Sequence, residues 1–110
     1  MAFAGIRYAV RTQPNFLIHA LLGLFTIIIG VVLNLSHLEW IAITLAIVVV
    51  FTAEMINTAI ESMTDLITKE YHAEAKIAKD VSAGMVLVAA IGASLIGLLV
   101  FSPKLIQIFI

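Results

Sequence analysis

Five polar residues, Glu54, Asn57, Thr58, Glu61 and Asp65, recur turn by turn: Asn57 and Thr58 lie three and four residues after Glu54, Glu61 lies four and three after them, and Asp65 four after Glu61. At 3.6 residues per turn they share one face of a helix. Oxygen donors along one face suit a hard cation, and Mg²⁺ usually arrives with phosphates rather than in an all-protein cage. The Lys79 ammonium, a compact point charge, suits a phosphate. Phosphoryl transfer asks mainly for positioning and for neutralisation of charge. Glu54 ends a charge-free apolar run, Ile41 to Ala53. An acid so near hydrocarbon depth is costly and marks function. A carboxylate placed there can take the proton of a lipid hydroxyl.

These steps make lipid phosphorylation coherent without proving it. No G-x-x-x-x-G-K-[ST] or G-x-G-x-x-G loop supplies an ordinary nucleotide cradle. Glu54 can equally be the coupling acid of a small proton-driven transporter. Against that stands the charge beyond the apolar run: six of the seven acids and three of the six Lys and Arg residues lie between Glu54 and Asp80. Transport has no need of that cluster. Glu74 and Lys76 read as solvated surface. His19 reads as an interfacial or interhelical hydrogen-bond partner rather than a metal ligand, and Met55, Met63 and Met85 as packing.

The elements that must position this stripe are apolar helices. The 110 residues are 63% hydrophobic and 12% charged. A soluble domain of this size buries too little of its chain to hide so much apolar surface. Net charge is −1, which offers no pull toward nucleic acid, and without cysteine there is no disulfide framework or thiolate metal site. Two charge-free runs, Phe16–Leu33 and Val81–Phe101, are 18 and 21 residues long, close to the ~20 that cross a bilayer core. The middle run continues from Ile41 as a patterned helix to Ile67, spanning first and leaving the lipid as its polar stripe begins. The first run is no signal peptide, because Asn34-Leu35-Ser36-His37 is a poor cleavage site.

We therefore expect an all-α membrane protein of one domain: a short amphipathic surface helix over 3–12, then spans over 16–35, 40–67 and 81–102. Pro14 marks the junction after the surface helix, and Trp40 suits an interfacial anchor. A charged loop, Lys69 to Asp80, joins the second and third spans. Arg7, Arg11, Lys69, Lys76 and Lys79 fall on one side, while the 34–40 link has no Lys or Arg. That asymmetry puts the N-terminus and the 68–80 loop in the cytoplasm. Ala89, Ala93 and Gly97, with Gly92 adjacent, form a small-residue stripe suited to close helix packing, within one subunit or between subunits.

The run Ala53-Glu54-Met55-Ile56-Asn57-Thr58-Ala59-Ile60-Glu61, then Asp65, Glu70-Tyr71-His72 and Ala78-Lys79-Asp80, strongly resembles the prokaryotic diacylglycerol kinase family, which includes undecaprenol kinases. Asn15-Phe16, Ile18-His19 and Leu38-Glu39-Trp40 add weaker matches. The resemblance covers nearly the whole chain. It implies a homotrimer in a bacterial inner membrane, using ATP and Mg²⁺ to phosphorylate a lipid hydroxyl at the cytoplasmic face. It implies that Glu54 is the catalytic base and Asn57 a catalytic polar group. Glu61 becomes a metal ligand, and Glu61, Asp65, Glu70, Tyr71, His72, Lys79 and Asp80 line the nucleotide site.

Three departures stand out. A second metal-binding glutamate usually precedes the Asn-Phe pair by two residues. Gln13 stands there, offering one neutral carbonyl oxygen, so it is at most a weak metal ligand. Family members usually carry more residues before the equivalent of Gly5, some touching nucleotide, which implies an altered nucleotide site or a start placed downstream. Leu17 replaces a common polar or basic residue. Together they leave open a weakened family member with a scaffold role. The choice between diacylglycerol and undecaprenol is not legible here.

Overall fold

The computed structural model describes residues 1–110. It is all-helical: α1 (Ala2–Thr12), α2 (Pro14–Val32), α3 (His37–Ile67) and α4 (Ala73–Phe109). The last three are long and apolar enough to cross a membrane. At 1.5 Å per residue α3 is roughly 46 Å long and α4 roughly 55 Å, and the molecule's longest dimension is 57 Å. Both helices are therefore longer than a hydrocarbon core of ~30 Å.

Local chemistry sets the breaks. Gln13 is extended between α1 and α2, and Pro14 occupies the first turn of α2, where its missing N–H is no loss. The turn from α2 to α3 is built twice over. Asn34 takes a left-handed conformation, φ 59°, while its N–H donates to Val31 and that of Leu35 to Gly30. This is the paired closure of a Schellman end. Ser36 then opens α3 with a capping box: its Oγ accepts from the Glu39 N–H, and Glu39 accepts from the Ser36 N–H.

Two expectations need correction. The charged stretch does not form a loop up to Asp80; only residues 68–72 lack helix, and Lys76, Lys79 and Asp80 ride on the first turns of α4. Glu, Lys and Ala are good helix formers, so polarity alone does not make a loop. Second, helix α4 runs through Pro103, past the expected end of the third span. Trp40 lies half-buried against Leu35 and Ile43 and presses on Gly30, where an added Cβ would come within 2.7 Å of Trp40 Cη2.

α3 is the hub. It packs along α4 and against α2 and α1, whereas α2 and α4 do not meet. The two splay apart, leaving a groove of about 300 Å³ floored by α3. Only 15 of 110 residues are buried. The exposed surface of α2 and α4 is largely Leu, Ile, Val and Phe and has to be covered by hydrocarbon or further protein. The Cβ positions of Gly92 and Gly97 open onto space, and Ala93 and Gly97 line the groove.

Candidate active site

The helical face read from the sequence is present, and its burial is graded. Glu54, Asn57 and Thr58 are buried, Glu61 is half-buried and Asp65 is exposed. Glu54 is 2% exposed. Its neighbour is His19 of α2, whose Nε2 lies 3.1 Å from Glu54 Oε1. The approach is not aligned as a hydrogen bond, and Oε1 has no hydrogen-bond partner. The edge of Phe16 against Phe51, ring centres 5.1 Å apart, fixes α2 on α3 beside this pair. His19 also lines the groove between α2 and α4, together with Leu22 and Ala46. A buried carboxylate thus stands behind His19, a polar residue of a largely apolar groove.

One turn on, Asn57 ties α3 to α4. Its Nδ2 faces Glu61 Oε1 at 3.5 Å, the outer limit of a hydrogen bond, and its Oδ1 accepts from Ser82 Oγ of α4 at 2.7 Å. The other oxygen of Glu61 accepts from Gln13 Nε2 at 3.3 Å. Gln13 and Glu61 were paired by resemblance as metal ligands, and the fold brings them together. Glu61 is the one acid there: no point in the chain gathers three or more His, Cys, Asp or Glu side chains.

Beyond Glu61 the groups are exposed and paired. Asp65 Oδ1 accepts from Lys79 Nζ at 2.6 Å across α3 and α4. Asp80 pairs instead with Lys76 one turn back, so Lys76, read as plain surface, is tied to a residue of the expected nucleotide site. Glu70, Tyr71 and His72 occupy the 68–72 link, exposed. His72 borders a shallow cleft with Thr64, Thr68 and Glu74. Such exposed ion pairs hold little energy and can be exchanged for a bound anion. Glu39 and Lys104, 3.3 Å apart, mark the far end of the bundle.

Sequence reasoning missed Ser82. It is 2% exposed and completes the hydrogen bonding of Asn57, yet a single serine next to Lys79-Asp80 carries no pattern. Its one legible cue was position: it lies three residues after Lys79, hence on the same face of α4.

A family model described as prokaryotic diacylglycerol kinase matches residues 1–101. The chain is 46% identical over 101 residues to an undecaprenol kinase of Bacillus subtilis, covering 92% of this chain and 82% of that protein. It is 40% identical over 110 residues to a diacylglycerol kinase of Synechocystis, covering 99% of this chain and 63% of that protein. A diacylglycerol kinase of Escherichia coli is 28% identical over 90 residues, 82% of this chain and 74% of that protein. The graded stripe on α3 and these matches agree: the chain belongs to the prokaryotic diacylglycerol kinase family.

Proposed function

We propose that this chain is an ATP-dependent lipid kinase that phosphorylates the hydroxyl of diacylglycerol or undecaprenol. The names of its relatives support this reading. The observation that carries it is the order along α3: a buried carboxylate, Glu54, beside the groove-lining His19, then Asn57 and Glu61, then exposed paired charges. A lipid tail suits the groove and a polyphosphate suits the charged end. A transporter would have no use for that succession.

In this reading Glu54 is the general base. It removes the lipid hydroxyl proton as the oxygen forms its bond to the γ-phosphorus, and the bond from that phosphorus to the β–γ bridging oxygen breaks to release ADP. Burial keeps water, a competing nucleophile, from the γ-phosphorus. Asn57 Nδ2, only loosely engaged with Glu61, donates to a phosphate oxygen. Lys79 exchanges Asp65 for phosphate, while Asp80 and the 70–72 residues flank the nucleotide.

The donor set fits Mg²⁺ of the kind that keeps waters and phosphate oxygens and takes one or two protein ligands. Glu61 would hold it, with Gln13 supplying a carbonyl oxygen once its amide turns. When bound there, Mg²⁺ would supply positive charge against the negative charge of the phosphates. The Lys and Arg bias toward one end supports a cytoplasmic site, and the bare apolar faces of α2 and α4 suit a homotrimer with α1 on the membrane surface.

The test is transfer of labelled γ-phosphate to diacylglycerol and to undecaprenol in mixed micelles. The intact protein labels at least one lipid, and Glu54→Gln labels neither while keeping its helical spectrum. Full activity in Glu54→Gln would sink the base assignment.

A further inference from the structure

Asn57 has two faces, and the reaction needs its N–H₂ on one of them. An amide side chain can turn over, exchanging oxygen for nitrogen, at little cost unless a neighbour distinguishes them. Near Asn57 the Glu61 carboxylate, an acceptor only, makes that distinction, while Ser82, able to donate or to accept, anchors the other end of the amide. Its hydroxyl is buried and 2.7 Å from Asn57 Oδ1. Lys79 O, 3.0 Å away, is its other acceptor. Back-bonding of this second kind is available to any helical serine; Ser94 does it to Ala90 O on an exposed face. What sets Ser82 apart is the shorter bond across to α3. A carbonyl oxygen held by Ser82 leaves Asn57 Nδ2 facing Glu61 Oε1. The reverse orientation would set the amide oxygen against the Glu61 carboxylate, two acceptors with no proton between them.

We propose that Ser82 is a positioning residue for the lipid kinase: it locks the Asn57 amide with its N–H₂ toward Glu61 and the phosphates, and so couples α4 to the catalytic face of α3. This rests on the kinase reading above. Ser82 itself touches no substrate. The same α4 turn carries Lys79, whose carbonyl is the hydroxyl's other acceptor, so the nucleotide-facing lysine and the Asn57 lock share one helical turn.

The experiment is a double-mutant cycle on the full chain in mixed micelles, scored by kcat and by KM for MgATP and for lipid. Ser82→Ala lowers kcat roughly tenfold or more, the scale on which misplaced catalytic groups lose rate. It raises KM for MgATP and leaves KM for lipid unchanged. Ser82→Thr, which keeps the hydroxyl, restores most of the rate. In an Asn57→Ala background, with residual rate read above that of Glu54→Gln, adding Ser82→Ala changes nothing further, because the lock has lost its object. Equal losses in both backgrounds would mean that Ser82 only packs, and the proposal would fall. So it would if folded Ser82→Thr lost as much as Ser82→Ala. Should Ser82→Ala not fold, the Thr variant decides: a near-normal rate supports the lock. An inactive parent protein would overturn the kinase reading itself, whereas an active parent with an indifferent Ser82→Ala would overturn only the lock.

Discussion

Gln13 and Glu61, 48 positions apart in the chain, meet side chain to side chain at 3.3 Å, the amide of one donating to the carboxylate of the other. The contact fastens the α1–α2 junction to the C-terminal part of α3. It also defines what the site lacks, a second negative oxygen. Gln13→Glu supplies it. Without a cation the two carboxylates repel; with one they share it. The half-saturating Mg²⁺ concentration for lipid phosphorylation is expected to fall, by roughly tenfold if the new carboxylate becomes a ligand. An unchanged Mg²⁺ titration would place Gln13 outside the metal's reach.

Glu54 and His19 form the second pair to separate. Glu54→Gln keeps the shape but cannot accept a proton, so transfer is expected to fall by roughly 10²–10⁴-fold while the thermal melt stays close to that of the parent. His19→Ala does the opposite kind of damage. It removes the polar neighbour of a carboxylate oxygen that already has no hydrogen-bond partner. The imidazole also fills space beside the buried acid, so its truncation is expected to lower the melting temperature while activity is partly kept. A His19→Ala protein as stable as the parent would show that the imidazole does not support the acid.

The α3 stripe was legible because helical period is a strong signal: Glu54, Asn57, Glu61 and Asp65 could share a face only in one way. The juxtaposition of Gln13 with Glu61 was not legible from spacing. It depends on α1 folding back beside α3, which Pro14 permits but does not aim. The start of α4 was misplaced because Lys76, Lys79 and Asp80 look like loop residues by charge, although they are adequate helix formers. Ser82 was invisible because a one-residue hydrogen bond between helices leaves no period. The contact of Trp40 with Gly30 was hidden for a similar reason, since it arises only where α2 and α3 approach each other.

The far end of the bundle offers a control for stability without chemistry. Ser36 caps α3 and accepts from Glu39 N–H. Ser36→Ala is expected to cost about 1 kcal/mol of stability and leave the kinase rate per folded molecule unchanged. Denaturation and specific activity, measured on one preparation, check both halves. A loss of specific activity would mean that the α2–α3 turn communicates with Glu54.

Gly30 tests how tightly that turn is wound. A Cβ there would meet Trp40 Cη2 at 2.7 Å and Leu35 Cδ1 at 2.9 Å, closer than packed side chains tolerate. Trp40 cannot retreat freely, since it packs on the cluster of Leu35 and Ile43. Gly30→Ala is therefore expected to destabilise by about 1–3 kcal/mol through overpacking, despite alanine's better helix propensity. Trimming the indole should relieve it: Gly30→Ala with Trp40→Phe loses the outer ring that carries the closest contact, so the pair is more stable than the sum of its single effects. Thermal melts of the four proteins in one detergent measure the coupling. Simple additivity would mean that α2 shifts away from Trp40 instead, and that the close approach at Gly30 does not hold the turn.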